Sequence, residues 1–162
     1  MPVRHRECRA LLGVLLLTAA QAAPAAIACN LGAASLSFGA YDVSSYAPTD
    51  MTGTLEMTCL RILSGSSLTV TLTLSGGQSG NPYARQLRAG GNDRLNYQIY
   101  RDAARTLPWG STAGADAATV TVSLTQIIQL RTYSLNLYGR LPPRQDVAPG
   151  SYSDQLVVTL TP

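Results

Sequence analysis

The stretch Leu68–Ser75, LTVTLTLS, sets an aliphatic residue at every second position with threonine or serine between. A two-residue period puts Leu68, Val70, Leu72 and Leu74 on one side of an extended chain. Thr69, Thr71, Thr73 and Ser75 fall on the other side, so the segment predicts a half-buried β-strand. The pattern returns along the chain. Leu95, Tyr97 and Ile99 alternate with Asn96, Gln98 and Tyr100, and Val120, Val122 and Leu124 with Thr119, Thr121 and Ser123. Tyr133, Leu135 and Leu137 alternate with Ser134, Asn136 and Tyr138, and Leu156, Val158 and Leu160 with Gln155, Val157 and Thr159. Weaker strand candidates run over Ala34–Phe38 and over Thr52–Leu60, where Leu55 and Met57 share a face with Cys59.

Turn signals separate these runs. Ser75–Pro82 reads SGGQSGNP, Ala89–Asp93 reads AGGND, and Pro142-Pro143 and Pro149-Gly150 punctuate the last third. Only Ser123–Leu130 suggests a helical turn. Some six or seven short alternating strands with turns between them predict an all-β chain, an immunoglobulin-like β-sandwich.

The N-terminus has a different character. Arg4, Arg6 and Arg9 precede the apolar run Leu11–Ala20, and small residues follow through Ala28. That order predicts a cleaved export signal over residues 1–28 and a single domain over 29–162. Ala26 and Ala28 satisfy the small-x-small rule for a cut before Cys29, and Ala23 and Ala25 offer a second cut, after Ala25. No later stretch is long and apolar enough to predict a transmembrane helix. Cys8 leaves with the signal, so Cys29 and Cys59 remain as one pair, which in an exported protein predicts a disulfide. The chain-entropy model values such a cross-link at roughly 3–4 kcal/mol. The competing reading is a lipoprotein with lipid on Cys29. It lacks the leucine usual before such a cysteine and would strand Cys59 as an odd thiol.

Composition narrows the function further. After Ala28 the chain has neither histidine nor lysine, and its nine arginines are scattered. No basic run argues for nucleic-acid binding. General-base catalysis near neutral pH most often uses histidine, and no Cys/His set suggests zinc. The aspartates and Glu56 sit mostly beside Gly, Ser or Pro, or at strand ends, where aspartate stabilises turns. The expectation is a non-enzyme without cofactor or metal. Tyr97 and Trp109 are expected in the core, and Arg140 as an arginine that holds a loop.

Seven pieces in order then resemble the spore coat protein U domain family, which includes secreted pilus subunits of the archaic chaperone–usher pathway. They are Cys29; FGAYD, with Phe38, Gly39, Tyr41 and Asp42; LEMTC, ending at Cys59; LNYQIYRD, with Tyr97 and Tyr100; TLPWG, with Trp109 and Gly110; YGRLPPRQ, with Tyr138, Gly139 and Arg140; and GSYSDQLVVTL, with Gly150, Tyr152 and Asp154. The resemblance implies a sandwich lacking its final strand. A periplasmic chaperone would fill the gap first, and the N-terminal strand of a neighbouring subunit would fill it after delivery to an outer-membrane usher. It implies export to the cell surface and a role in attachment and biofilm formation. The family name keeps a second expectation open, a spore-coat or outer-layer protein that forms no fibre. A polymerising subunit also needs a donor strand ahead of its domain. Cys29 lies directly after the expected signal, so the chain is expected to accept a strand without giving one, as a tip subunit.

Overall fold

The computed structural model describes residues 26–62, 67–126 and 128–162. The expected signal therefore lies almost wholly outside the described residues. Eight strands form: β1 (Ala26–Leu31), β2 (Thr49–Ile62), β3 (Ser67–Leu74), β4 (Arg85–Arg88), β5 (Arg94–Tyr100), β6 (Ala118–Ser123), β7 (Ile128–Leu141) and β8 (Val158–Thr161). They make a five-stranded sheet in the order β1-β2-β7-β5-β4 and a three-stranded sheet in the order β6-β3-β8. The described residues contain a single helical element, a short 3₁₀ turn at Gly77–Ser79. The chain is an all-β, two-sheet sandwich of the immunoglobulin-like kind.

The alternation acts as read. In β3, Val70, Leu72 and Leu74 are buried while Thr69 is exposed. Leu55, Met57 and Cys59 of β2 face them across the sandwich, joined by Leu95, Tyr97 and Ile99 of β5. The longest pairing joins β2 and β7, antiparallel from Thr49↔Leu141 to Ile62↔Ile128. Cys29 lies directly opposite Cys59 in the β1–β2 pair, and the two form the disulfide. The bond thus ties neighbouring strands of one sheet, and it closes a loop with a sequence separation of 30 residues.

Four local expectations are corrected. β1 covers Ala26–Leu31, whereas Ala34–Phe38 pairs with no strand although Leu36 and Phe38 turn inward. Only Val158–Thr161 of the last alternating run joins a ladder. Ser123–Leu130 forms no helical turn in its described residues; β6 ends at Ser123 and β7 begins at Ile128. Arg61 holds the turn between them by donating to the carbonyls of Leu124 and Gln126, at 2.8 and 2.9 Å. The strand count is eight because four-residue β4, RQLR, has too little alternation to be seen in sequence.

Candidate functional site: an open apolar groove

Two extended segments approach each other over the core without pairing. One runs through Gly32–Val43 after β1, the other through Val147–Val157 before β8. Between them lie two adjoining clefts of about 710 and 530 Å³. Leu36 and Phe38 line both clefts on one wall. Tyr152, Leu156 and Val158 form the opposite wall, and Leu55, Leu95, Tyr97 and Leu137 contribute to the floor.

Local chemistry explains each wall. Tyr41 Oη donates to the Pro142 carbonyl at 2.7 Å and accepts from the Gln145 amide at 2.9 Å, pinning the first wall to the loop after β7. Asp42 accepts from the Ser44 amide and hydroxyl, which lowers its pKa and closes the turn that follows. Gly39 supplies a left-handed φ of 70° between Phe38 and Tyr41. Gly139 in β7 lies beneath that wall: a Cβ there would clash with Leu36 Cδ2 and meet Phe38 Cζ at 2.7 Å. Phe38 also packs edge-on against Tyr97, with ring centroids 6.0 Å apart.

The second wall alternates perfectly. Tyr152, Asp154, Leu156, Val158 and Leu160 turn inward, yet each is only half-buried, and the residues between them are exposed. The Ser75 amide donates to the Val157 carbonyl at 3.0 Å, and the Val157 amide donates to Ser75 Oγ at 2.9 Å. Antiparallel backbone groups alternate in direction. With the odd-numbered positions turned to β3, the groups of Leu156, Val158 and Leu160 face the open edge. The site therefore offers a row of unpaired backbone groups and a row of apolar hollows side by side.

A polar scaffold holds the floor. Arg85 is fully buried, although nothing in RQLR marks a buried cation. Its guanidinium donates to the carbonyls of Leu74 (3.1 Å), Ser75 (2.8 Å), Pro82 (2.8 Å) and Trp109 (2.7 Å), and to the Gln98 side chain. Burial lowers its pKa. Trp109 is buried, and its indole N–H donates to the Leu72 carbonyl at 2.7 Å. Nearby, Asp116 accepts from Tyr83 Oη and from the Thr112 amide at 2.7 Å. Burial pushes its carboxyl up, but those hydrogen bonds prevail and its pKa falls. Gly110 lies beside it, and a Cβ there would clash with the Asp116 carboxylate.

The motif residues thus divide by location. Phe38, Gly39, Tyr41, Tyr97, Gly150, Tyr152 and Asp154 line the groove, and Gly139 supports its wall. Trp109 and Gly110 belong to the interior scaffold. Tyr100 pairs with Tyr138 across β5 and β7. Arg140 grips Asp50 through two hydrogen bonds of 2.7 and 2.8 Å, with Arg105 Nε 3.4 Å from the same carboxylate. The Cys29–Cys59 bond lies apart from the groove, against the second core cluster. Leu31, Leu87 and Leu137 also line the groove without belonging to any sequence motif. No group of three or more His, Cys, Asp or Glu that could hold a metal ion occurs among the described residues.

These features define a class: an immunoglobulin-like sandwich with an unfilled strand position. The chain belongs to the Spore Coat Protein U domain family, whose pattern it matches over residues 15–159. Among characterised proteins it is 32% identical to "Protein U" of Myxococcus xanthus over 146 residues, 83% of this chain and 77% of that protein. In fold it is similar to a chain of the crystal structure of the CsuC–CsuE chaperone–tip adhesion subunit pre-assembly complex from archaic chaperone–usher Csu pili of Acinetobacter baumannii. The TM-score is 0.51 and the identity 15%; the match covers 83% of this chain and 39% of that one.

Proposed function

We propose that this chain is an exported structural subunit of a surface fibre, assembled by strand addition into the groove. The observation that carries the reading is the open second wall. Its inward row, from Tyr152 to Leu160, is half-buried, and its even-numbered backbone groups have no ladder partner among the described residues. An extended segment laid there would gain main-chain hydrogen bonds from the edge and bury alternate side chains in the hollows. Family membership and the fold of the Csu neighbour support the same reading. The occupants would be a periplasmic chaperone before assembly and a neighbouring subunit after an outer-membrane usher has placed it. The role is structural rather than catalytic.

Within this reading the chain is a tip subunit that acts in attachment and biofilm formation. The segment that would have to serve as a donor, Ala26–Leu31, is already paired with β2 and tied to it by the disulfide. The residues ahead of it read as the cleaved signal. Ile27 packs on the core, which favours the earlier cut, after Ala25. The loop from Gln78 to Tyr83 offers contact residues, and Tyr83 there is exposed. The second reading, an outer-layer protein that forms no fibre, draws on the family description and on the likeness to Protein U.

The test is to refold the exported protein with alternating apolar peptides. Fibre-subunit behaviour requires a large rise in soluble monomer and in Tm. Peptide at about 100 times its Kd stabilises the folded state by about 2.7 kcal/mol. A stable monomer indifferent to every peptide overturns the groove reading. Immunogold label along the whole shaft, rather than at fibre ends, overturns the tip position alone.

A further inference from the structure

The groove is mostly apolar, with a few serine and tyrosine hydroxyls, and it carries one charge. Asp154 is the single charged residue lining either cleft, and it lines both. It occupies the second place in the inward row of the open wall, between Tyr152 and Leu156. Its Oδ1 accepts from the Gln78 amide at 2.9 Å and from its own neighbour's Gln155 amide at 2.8 Å. Its Oδ2 accepts from Tyr97 Oη at 2.8 Å. Among the described residues no arginine stands within ion-pair distance of it. A carboxylate has about four acceptor positions. Three are taken, which leaves one on Oδ2 with no protein partner among the described residues, in a half-buried side chain still open to solvent.

An arriving strand removes that solvent. If it lays leucine or valine over Asp154, the charge loses its remaining hydration and gains nothing in return. If it offers a hydroxyl, the fourth position is filled by a charge-assisted hydrogen bond. Bulk counts as well: Gly77 lies so close that a Cβ there would clash with the Asp154 carboxylate, so the aspartate cannot retreat toward that glycine.

We infer that Asp154 selects and registers the strand that fills the groove. The occupant is an extended segment whose inward row is apolar except for one serine or threonine, and that residue docks against Asp154. This rests on the groove reading above and adds a specificity rule to it. A strand shifted by one inward position would bury an apolar side chain on the carboxylate and strand its hydroxyl in an apolar hollow, so the aspartate also fixes register.

The experiment is a serine scan. A set of peptides with leucine and valine inward carries one serine, moved through each inward position in turn, and each peptide is titrated during refolding of the exported protein. One serine position is expected to bind about 10- to 100-fold tighter than the all-apolar parent, the cost of one unsatisfied buried group. In Asp154→Leu that advantage is lost or reversed. Should that variant not fold, Asp154→Asn, which keeps the shape and removes the charge, reduces the penalty for the apolar peptide several-fold. Peptides that bind with equal affinity at every serine position, in wild type and in Asp154→Asn alike, overturn the selection role while leaving the groove in place. Failure of every peptide to bind overturns the groove reading itself.

Discussion

The two ends of the sandwich are built from the same side chains and finished differently. Around the disulfide, Met57, Cys59, Val70, Val122 and Leu124 are all at 0% exposure. In the groove, Leu36, Phe38, Leu156 and Val158 pack on the core yet stay half-buried. Hydrophobicity does not separate the regions; cover does. At the closed end β1 lies beside β2, and β6 beside β3. At the open end, two segments that do not pair with each other flank the groove. The closed end can hold the fold together while the open end stays uncovered.

That contrast can be broken at its strongest point first. Removing the disulfide should weaken the closed end most: Cys29→Ser is expected to cost roughly 2–5 kcal/mol and to lower the exported yield sharply. Intact mass before and after reduction reads the bond in the wild type; a free-thiol mass or a lipid adduct on Cys29 would contradict it. Next come matched leucine truncations. Leu124→Ala at the closed end is expected to cost about 2–5 kcal/mol in chemical denaturation. Leu156→Ala in the groove should cost about half as much, since its side chain is only half removed from water. The gap between the two should narrow when a peptide fills the groove. Equal costs in the empty protein would remove the distinction between the ends.

A smaller effect sharpens the boundary. Gly139→Ala places a methyl group against Leu36 and Phe38 and should cost about 1–3 kcal/mol by displacing the first wall. Peptide affinity should fall in parallel, while the disulfide end keeps its hydrogen-exchange protection. The smallest expected effect is in acid. The hydrogen bonds from Arg140, with the nearby charge of Arg105, hold Asp50 below the usual carboxylate range despite partial burial. A lowered folded pKa contributes stability that is complete above the unfolded value, about 3.9, and lost as pH falls through the folded one. Tm should hold steady from pH 7 to about 5 and fall below about 4. Asp50→Asn should flatten that fall, and the groove's affinity for a peptide should change little, because this cluster stands outside the groove.

Much of the arrangement is legible in the chain, and the failures share one cause. The β3 and β5 runs alternate cleanly and pair as strands, because a buried face on one side leaves a period of two in the sequence. Leu36 and Phe38 alternate in the same way and yet belong to no strand. Alternation reports which side of an extended chain meets the core, not whether a neighbour takes its backbone hydrogen bonds. The same holds for Gln155–Leu160, read as one strand and paired only from Val158. Arg85 was invisible for a different reason. Its charge is stabilised by carbonyls of Leu74, Ser75, Pro82 and Trp109, which come together only after folding, and backbone carbonyls leave no residue-specific trace.

By itself the sequence determined what depends on neighbours along the chain: an all-β architecture, Cys29 and Cys59 as the pair expected to bond, the turns, and the inward row from Leu156 to Leu160. Tertiary structure alone decided which of those inward rows receives a cover. It set Cys29 opposite Cys59, drew Gly139 beneath Phe38, and placed Asp154 as the one charge in the groove. The physical reason is that burial of a strand's face is a property of one residue's side chain, whereas pairing of its edge is a relation between two segments distant in sequence, and only the folded chain brings those segments together or leaves them apart.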